Sequence, residues 1–232
     1  MKTKQLLAVM AAVVLGSGAA WAQTTHTNLT FLSGATIPDA NNNGIGIQSP
    51  TLSLSTLNGP ISSLKVSLDI SGGFNGDLYA TLAGPSGGFT VLLNRTGVQS
   101  GNTHGYSDAG FNVTFDDTLA DGNGNIHFYQ NAVNPGGGVL TGTWQPDGEN
   151  IDPQSPAASF PTTPTAFLSS FDGTNPNGQW TLFLSDLSAG NQSTVVSWGL
   201  DITAVPEPGT LALAAIGGLA VLLLRNSRQR RF

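Results

Sequence analysis

The feature that most limits how this chain can fold is a hydrophobic period of two, sustained through its central part. Leu64, Val66, Leu68 and Ile70 alternate with Ser63, Lys65, Ser67 and Asp69. Leu78, Ala80 and Leu82 follow, then Phe89, Val91 and Leu93, then Phe111, Val113 and Phe115. Trp180, Leu182 and Leu184 repeat the pattern, and Val196, Trp198, Leu200 and Ile202 complete it. Successive side chains of a strand point to opposite faces, so the alternation predicts antiparallel strands buried on one face. Gly72-Gly73, Gly84-Pro85-Ser86-Gly87-Gly88 and Ala189-Gly190-Asn191 punctuate these runs with the positive or preset φ that turns need. About eight strands at this spacing predict an all-β domain, a β-sandwich of the jelly-roll kind. Residues 131–165 differ: Pro135, Pro146, Pro153, Pro156, Pro161 and Pro164, with three consecutive glycines, predict a long surface excursion carrying one strand at 140–144.

Both ends carry a different chemistry. Lys2 and Lys4 precede a short apolar run, and Ala20-Trp21-Ala22 gives the small-x-small pattern, so residues 1–22 read as a signal peptide cut after Ala22 by signal peptidase. At the other end Val205-Pro206-Glu207-Pro208 leads into residues 211–224, which have no polar side chain, and then into a basic end at 225–232 with Arg225, Arg228, Arg230 and Arg231. As a helix, residues 211–224 would span about 21 Å against a hydrocarbon core of about 30 Å. Starting at Pro208 lengthens this to about 25 Å, the lower limit for spanning. The arginines place that end in the cytoplasm, which predicts a marginal, transient anchor in the inner membrane. The expected organisation is thus a signal peptide at 1–22, one domain at 23–204 and a tail at 205–232.

Setting both ends aside leaves Lys65 and Arg95 as the only basic residues against thirteen acids. Such a surface repels the phosphate backbone and excludes nucleic acid as a partner. The chain has no cysteine, so an exported domain of this composition is held by core burial or by bound ions rather than by disulfides.

Few residues suggest catalysis. Gly84-Pro85-Ser86-Gly87-Gly88 fits the G-x-S-x-G nucleophile pattern, but that motif needs a strand-turn-helix elbow and both flanks here read as strands, so a hairpin turn is expected. His26, His104 and His127 are scattered without paired spacing, which indicates neither a triad nor a zinc site. Asp39-Ala40-Asn41-Asn42-Asn43-Gly44 begins like an EF-hand loop, but Pro50 stands where the bidentate glutamate is required. Trp180 and Trp198 head alternating runs and are expected in the core. Trp144, beside the proline-rich excursion, is the freer candidate for stacking on a carbohydrate ligand.

Two resemblances extend this reading. The tail, through Pro206-Glu207-Pro208, the apolar run and Arg225 to Arg231, resembles the PEP-CTERM sorting signal of Gram-negative bacteria. The resemblance implies recognition by the membrane enzyme exosortase and delivery to the cell surface or an exopolysaccharide-rich matrix. The domain at 23–204 is similar to the P domain (P/Homo B) of subtilisin-like proprotein convertases. The similarity rests on Ile37-Pro38-Asp39, Gly76-Asp77-Leu78, Gly84-Pro85-Ser86-Gly87, Phe115-Asp116-Asp117, Gly142-Thr143-Trp144-Gln145-Pro146, Phe171-Asp172-Gly173, Gly178-Gln179-Trp180-Thr181-Leu182, Ser185-Asp186 and Ser197-Trp198. The chain departs from that pattern at Gly72-Gly73-Phe74-Asn75, at Asn191-Gln192-Ser193 and through an insertion at about 149–165. In the convertases protease activity resides in a separate domain, so the resemblance implies a non-catalytic module with a structural or adhesive role. The alternatives are an accessory P domain for a separately encoded protease, or a carbohydrate-binding module.

Asp77, Asp116, Asp117 and Asp186 lie beside strand runs at positions matching the P domain. A jelly roll can gather such strand ends, and converging carboxylates repel unless a cation or hydrogen bonds neutralise them. One structural calcium site drawn from these four is therefore expected.

Overall fold

The computed structural model describes residues 24–54, 57, 59–118, 124–205 and 217. The expected signal peptide with Ala20 and Ala22, the hinge Pro206-Glu207-Pro208 and Arg225, Arg228, Arg230 and Arg231 lie outside the described residues. Of the expected apolar helix only Gly217 is described, and it is helical. Among the described residues no helix is long and apolar enough to cross a membrane.

The alternating runs form two β-sheets. The described strands are β1 (Thr25–Thr36), β2 (Asn41–Gln48), β3 (Ile61–Gly72), β4 (Leu78–Ala83), β5 (Phe89–Asn94), β6 (Gly110–Phe115), β7 (Leu140–Trp144), β8 (Thr181–Asp186) and β9 (Ser193–Ala204). One sheet has the order β1-β9-β3-β6-β7 and the other β2-β8-β4-β5. In the first sheet Val66 faces Leu200 on one side and Phe115 on the other, while Leu68 faces Trp198 and Val113. These apolar rows, all buried, meet Leu78, Ala80, Leu82, Leu182 and Leu184 from the second sheet in one hydrophobic cluster. The polar half of each alternation, such as Ser67 and Thr114, is left toward solvent.

Three departures from simple alternating antiparallel strands have identifiable causes. In β9 the register shifts between Asp69/Ile70 on the β3 side, so Val195, not Val196, joins Trp198 inside. Val196 is 40% exposed. A bulge inserts one residue and re-aims the side chains beyond it. In β5 Phe89 is exposed, yet residues 90–94 are buried on both faces. Its outer side is covered by the proline-rich excursion: Asp147 and Gly148 donate backbone N–H to Leu92 and Val91 at 3.1 and 2.9 Å, and Val91 donates to Ala166 at 3.1 Å. The excursion therefore protects an edge strand from outside pairing. Finally, β7 runs parallel to β6, because the chain between them crosses through a 3-10 turn at Ile126–Asn131 instead of a hairpin.

Strand β1 and strand β2 have no clean alternation to announce them. β1 is held by its register along β9, from Thr25↔Ala204 to Thr36↔Thr194. β2 is irregular between Asn41 and Ile45, where Gly44 adopts φ +57° close beside the Leu184 carbonyl. That bulge, and not an EF-hand, explains the Asn- and Gly-rich segment after Asp39; Asn43 N–H is turned back onto Asn41 Oδ1 at 2.9 Å.

Close approach of β1, β9 and β3 depends on Gly199. A Cβ there would press into the Leu29 backbone oxygen and the Ser67 hydroxyl. Gly199→Ala is expected to destabilise the domain by about 1–3 kcal/mol through overpacking, which a urea unfolding curve measures directly.

Candidate functional site

The four aspartates expected at one cation site divide between opposite ends of the domain. Asp186 ends β8, where its register partners are Asn41 of β2 and Leu78 of β4. Asp77 immediately precedes Leu78, and Asp39 lies two residues before Asn41. Strand β8 thus has an acid of its own and one from each neighbour at the same end. The turn after β8 is wrapped by all three. Leu187 N–H donates to the Asp77 carbonyl at 2.9 Å, Ser188 hydrogen-bonds the Asp77 carboxylate, and Gly190 N–H donates to both Asp39 oxygens at 3.1 Å.

Electrostatics at this end are unfavourable. Asp186 is fully buried; its Oδ1 accepts a long bond from Ser188 N–H at 3.4 Å, and its Oδ2 has no hydrogen-bond partner. Burial, together with the charges of Asp77 and Asp39, pushes its pKa up to about 6. Asp77 is also raised by burial, which outweighs the Ser188 hydrogen bond and the attraction of Arg95 and His104. Beside Asp77 opens a cleft of about 320 Å³ lined by Phe74, His104, Tyr106, Ser107 and Ser188.

Asp116 and Asp117 lie elsewhere. Asn75, two residues before Asp77, bonds Gly110 at the start of β6, whereas Asp116 follows the far end of that strand, about 20 Å away at ~3.3 Å per residue. Asp116 Oδ2 is 2.6 Å from Lys65 Nζ, and its Oδ1 accepts Thr118 N–H and Oγ1–H at 2.8 and 2.7 Å. Burial pushes the Asp116 carboxyl upward, but the Lys65 and Thr118 hydrogen bonds outweigh it and hold the group below the usual range. Asp117 accepts the backbone N–H groups of Leu168 and Ser169 at 3.2 and 2.7 Å and so caps the 3-10 turn Leu168–Phe171. Hydrogen bonds and one lysine neutralise this pair.

A second buried polar cluster had no signature in the sequence. His127, Asp147 and Glu149 place one ligand-type atom each within 4.8 Å of one another, and all three are at most 2% exposed. His127 Nδ1 lies 2.8 Å from Asp147 Oδ2, and Nε2 lies 2.9 Å from the Val98 carbonyl. Both ring nitrogens face oxygen atoms that can accept, an arrangement that favours the doubly protonated imidazolium. Burial pulls its pKa down, but the bond and charge of Asp147 and the Val98 carbonyl outweigh this and raise it. Asn94 completes the cluster, donating its backbone N–H to Asp147 Oδ2 at 3.1 Å and its amide to the Glu149 and Ile151 carbonyls at 2.8 and 3.2 Å. The Phe160 ring stacks on His127 with centroids 6.1 Å apart. The excursion is therefore fastened to the Ile126–Asn131 turn by the His127–Asp147 pair and to β5 by Asn94, and part of it is interior where a surface loop was expected.

The aromatic expectation needs a correction. Trp144 is 1% exposed, its indole N–H donates to the Thr141 carbonyl at 2.9 Å, and its ring meets Tyr129 edge-on. Its side chain, at the end of the edge strand β7, packs in the hydrophobic cluster beside Tyr129 of the Ile126–Asn131 turn and has no free face for a sugar. Trp180 and Trp198 are buried as expected. Ser86 sits in the hairpin between β4 and β5, closed by Gly84 N–H to the Gly88 carbonyl at 3.4 Å.

Comparison with known proteins places the address in the tail. Residues 204–231 match the PEP-CTERM protein-sorting motif. The chain therefore carries the signal of an exported protein that exosortase recognises. No curated protein matches the chain. Two crystal structures from Aeromonas sobria are similar over 84% of this chain: a serine protease in complex with its chaperone, at 13% identity, and the serine protease alone, at 12%. The TM-score is 0.42 in both cases, and the chain spans 29% of the length of each of those chains.

Two outcomes follow from the buried polar and aromatic groups. The His127 pKa is raised on folding, so the pair's contribution to stability is complete below the unfolded value of about 6.5 and is lost as pH rises through the folded value. Urea midpoints between pH 6 and 9 should fall with pH in the wild type and flatten in His127→Gln. That variant should also cost about 3–5 kcal/mol at pH 6 by leaving Asp147 buried and unpaired. Trp144→Ala should lower stability by about 3–5 kcal/mol, read by the same melts, rather than abolish a binding activity.

Proposed function

We propose that this is a non-catalytic protein of the cell surface or extracellular matrix, with a structural or adhesive role, sorted by exosortase through its tail. The match of residues 204–231 to the sorting motif carries the reading. In it, the signal peptide at 1–22 starts export, residues 211–224 arrest the chain transiently in the inner membrane, and exosortase acts near Pro206-Glu207-Pro208. The released domain then works in an exopolysaccharide setting.

The domain itself is, in this proposal, a jelly roll of the P-domain kind. Eight of the described strands have the orders β1-β9-β3-β6 and β2-β8-β4-β5, the interleaving that two Greek keys give when folded face to face, and β7 is an added parallel strand. The residues shared with P domains occupy structural positions: Gly76-Asp77-Leu78 enters β4, Gly84-Pro85-Ser86-Gly87 turns from β4 to β5, and Phe115-Asp116-Asp117 leaves β6. The absence of catalysis is supported by the surroundings of the polar groups. Ser86 lies in a hairpin, and His127, the histidine with a carboxylate partner in the core, directs its second nitrogen to a carbonyl and not to a hydroxyl.

In cells, mass spectrometry of the mature protein should find a C-terminus near Pro206-Glu207-Pro208, dependent on exosortase. Deleting residues 205–232 should release the domain unanchored. A full-length C-terminus in the mature protein, or a truncated chain still held in the membrane fraction, would refute the sorting mechanism.

A further inference from the structure

We propose that His127, Asp147 and Glu149 form a structural site for one zinc ion, which pins the proline-rich excursion to the Ile126–Asn131 turn; the site is independent of the sorting tail. One ligand-type atom from each of the three lies within 4.8 Å of the other two, and all three residues are at most 2% exposed. A tetrahedral ion with bonds of about 2.0–2.2 Å holds its ligand atoms about 3.3–3.6 Å apart. The 2.8 Å between His127 Nδ1 and Asp147 Oδ2 need open by only about half an ångström to reach that spacing.

The surroundings hold each ligand as a metal requires. The Val98 carbonyl only accepts, so His127 Nε2 carries a proton and donates to it at 2.9 Å. The neutral ring then keeps its lone pair on Nδ1, the nitrogen that faces Asp147. A backbone carbonyl on the far nitrogen is the usual way a metal-binding histidine is oriented. Asp147 is fixed by the backbone N–H groups of Asn94 on Oδ2 at 3.1 Å and of Glu149 on Oδ1 at 3.3 Å. The Thr162 hydroxyl reaches Glu149 Oε2 at 3.4 Å, and the Phe160 ring, itself buried, stacks on His127 and excludes water from that side.

Two further observations point to an ion. The first is charge. Asp147 and Glu149 carry two negative charges into the interior, and a proton on His127 neutralises only one of them. Arg95 directs its guanidinium instead to the carbonyls of Pro153 and Thr103 at 3.4 and 3.2 Å, and Lys65 pairs with Asp116. A divalent ion with a neutral imidazole balances both carboxylates. The second is Asn94, which is fully buried and donates its amide to the Glu149 and Ile151 carbonyls, while its Oδ1 has no partner. Buried polar atoms generally find partners, and this amide oxygen is available for the fourth position of a tetrahedral ion.

Donor chemistry selects the metal. One imidazole nitrogen with carboxylate oxygens suits zinc, whereas calcium and magnesium favour sets made wholly of oxygen. On binding, the ion takes the place of the Nδ1 proton of the imidazolium, which leaves to solvent. In a chain without cysteine the ion would do what a disulfide does elsewhere, joining two loops that are twenty residues apart in sequence.

The full chain is unfolded in urea with EDTA, refolded by dialysis with or without zinc chloride, and its bound metal is counted by atomic absorption. Loading during refolding gives the ion access to the buried site. Refolded with zinc, the chain should hold one ion and melt about 5–10 °C higher once free zinc is a hundred times the dissociation constant. Calcium chloride should leave the midpoint unchanged. Glu149→Gln keeps the His127–Asp147 pair and removes a buried charge, so it should fold and lose both the zinc and the shift. His104→Gln, at an exposed histidine, should bind one zinc as the wild type does. No zinc in the wild type, equal binding by Glu149→Gln, loss of binding in His104→Gln, or a calcium shift as large as that of zinc would each overturn the assignment.

Discussion

The constraint on which the rest of the structure depends is the position of β9, hydrogen-bonded to β1 on one side and β3 on the other. Its register places Trp198 against Leu68 and Leu200 against Val66, and so decides which half of every alternation in the first sheet faces inward. A slip of one residue would turn that whole set toward solvent. The bulge at Val196 shows how local the penalty for irregularity can be: Val195 takes the interior place, and the pattern resumes at Trp198. Gly199 then allows β1 and β3 to close on both sides at once.

A second constraint is charge. The domain has two basic residues and thirteen acids, so most carboxylates must be stabilised without an ion pair. Asp117 accepts backbone N–H groups, Asp116 takes Lys65, and Asp147 takes His127 in the interior, where a protonated ring bound to two acceptors is retained. Each solution also fastens a segment of chain: Asp117 holds the turn at Leu168–Phe171, and His127–Asp147 holds the excursion on the turn at Ile126–Asn131. At the end of β8, burial outweighs the hydrogen bonds that Asp77 and Asp186 accept, and both hold protons more tightly than an ordinary aspartate.

Much of the fold was legible because the strands of the two central layers are half-buried, and a half-buried strand writes its period into the sequence. β3, β4, β6 and β8 are of this kind. β1 and β2 were not legible, since long runs of Thr, Asn and Gly have little apolar contrast and are specified by the strands they pair with. β5 misled in the opposite direction, because cover from the excursion buries both its faces. The same long-range cover hid the His127–Asp147–Glu149 cluster, whose members are loop residues twenty apart with no spacing rule, and it enclosed Trp144, which a proline-rich neighbourhood suggested was exposed.

The sequence by itself determined the all-β architecture and the address of the protein, because both are local: alternation is read over a few residues, and the Pro-Glu-Pro hinge, apolar run and arginines are contiguous. It also named Asp77 and Asp186 as acids at strand ends. Only the tertiary structure decided which acids meet, since that depends on strand order and direction. β8 lying between β2 and β4 places Asp39, Asp77 and Asp186 at one end of the domain, and the direction of β6 carries Asp116 and Asp117 to the far end. Distance in the chain contains no record of that neighbourhood; hydrogen-bonded register creates it.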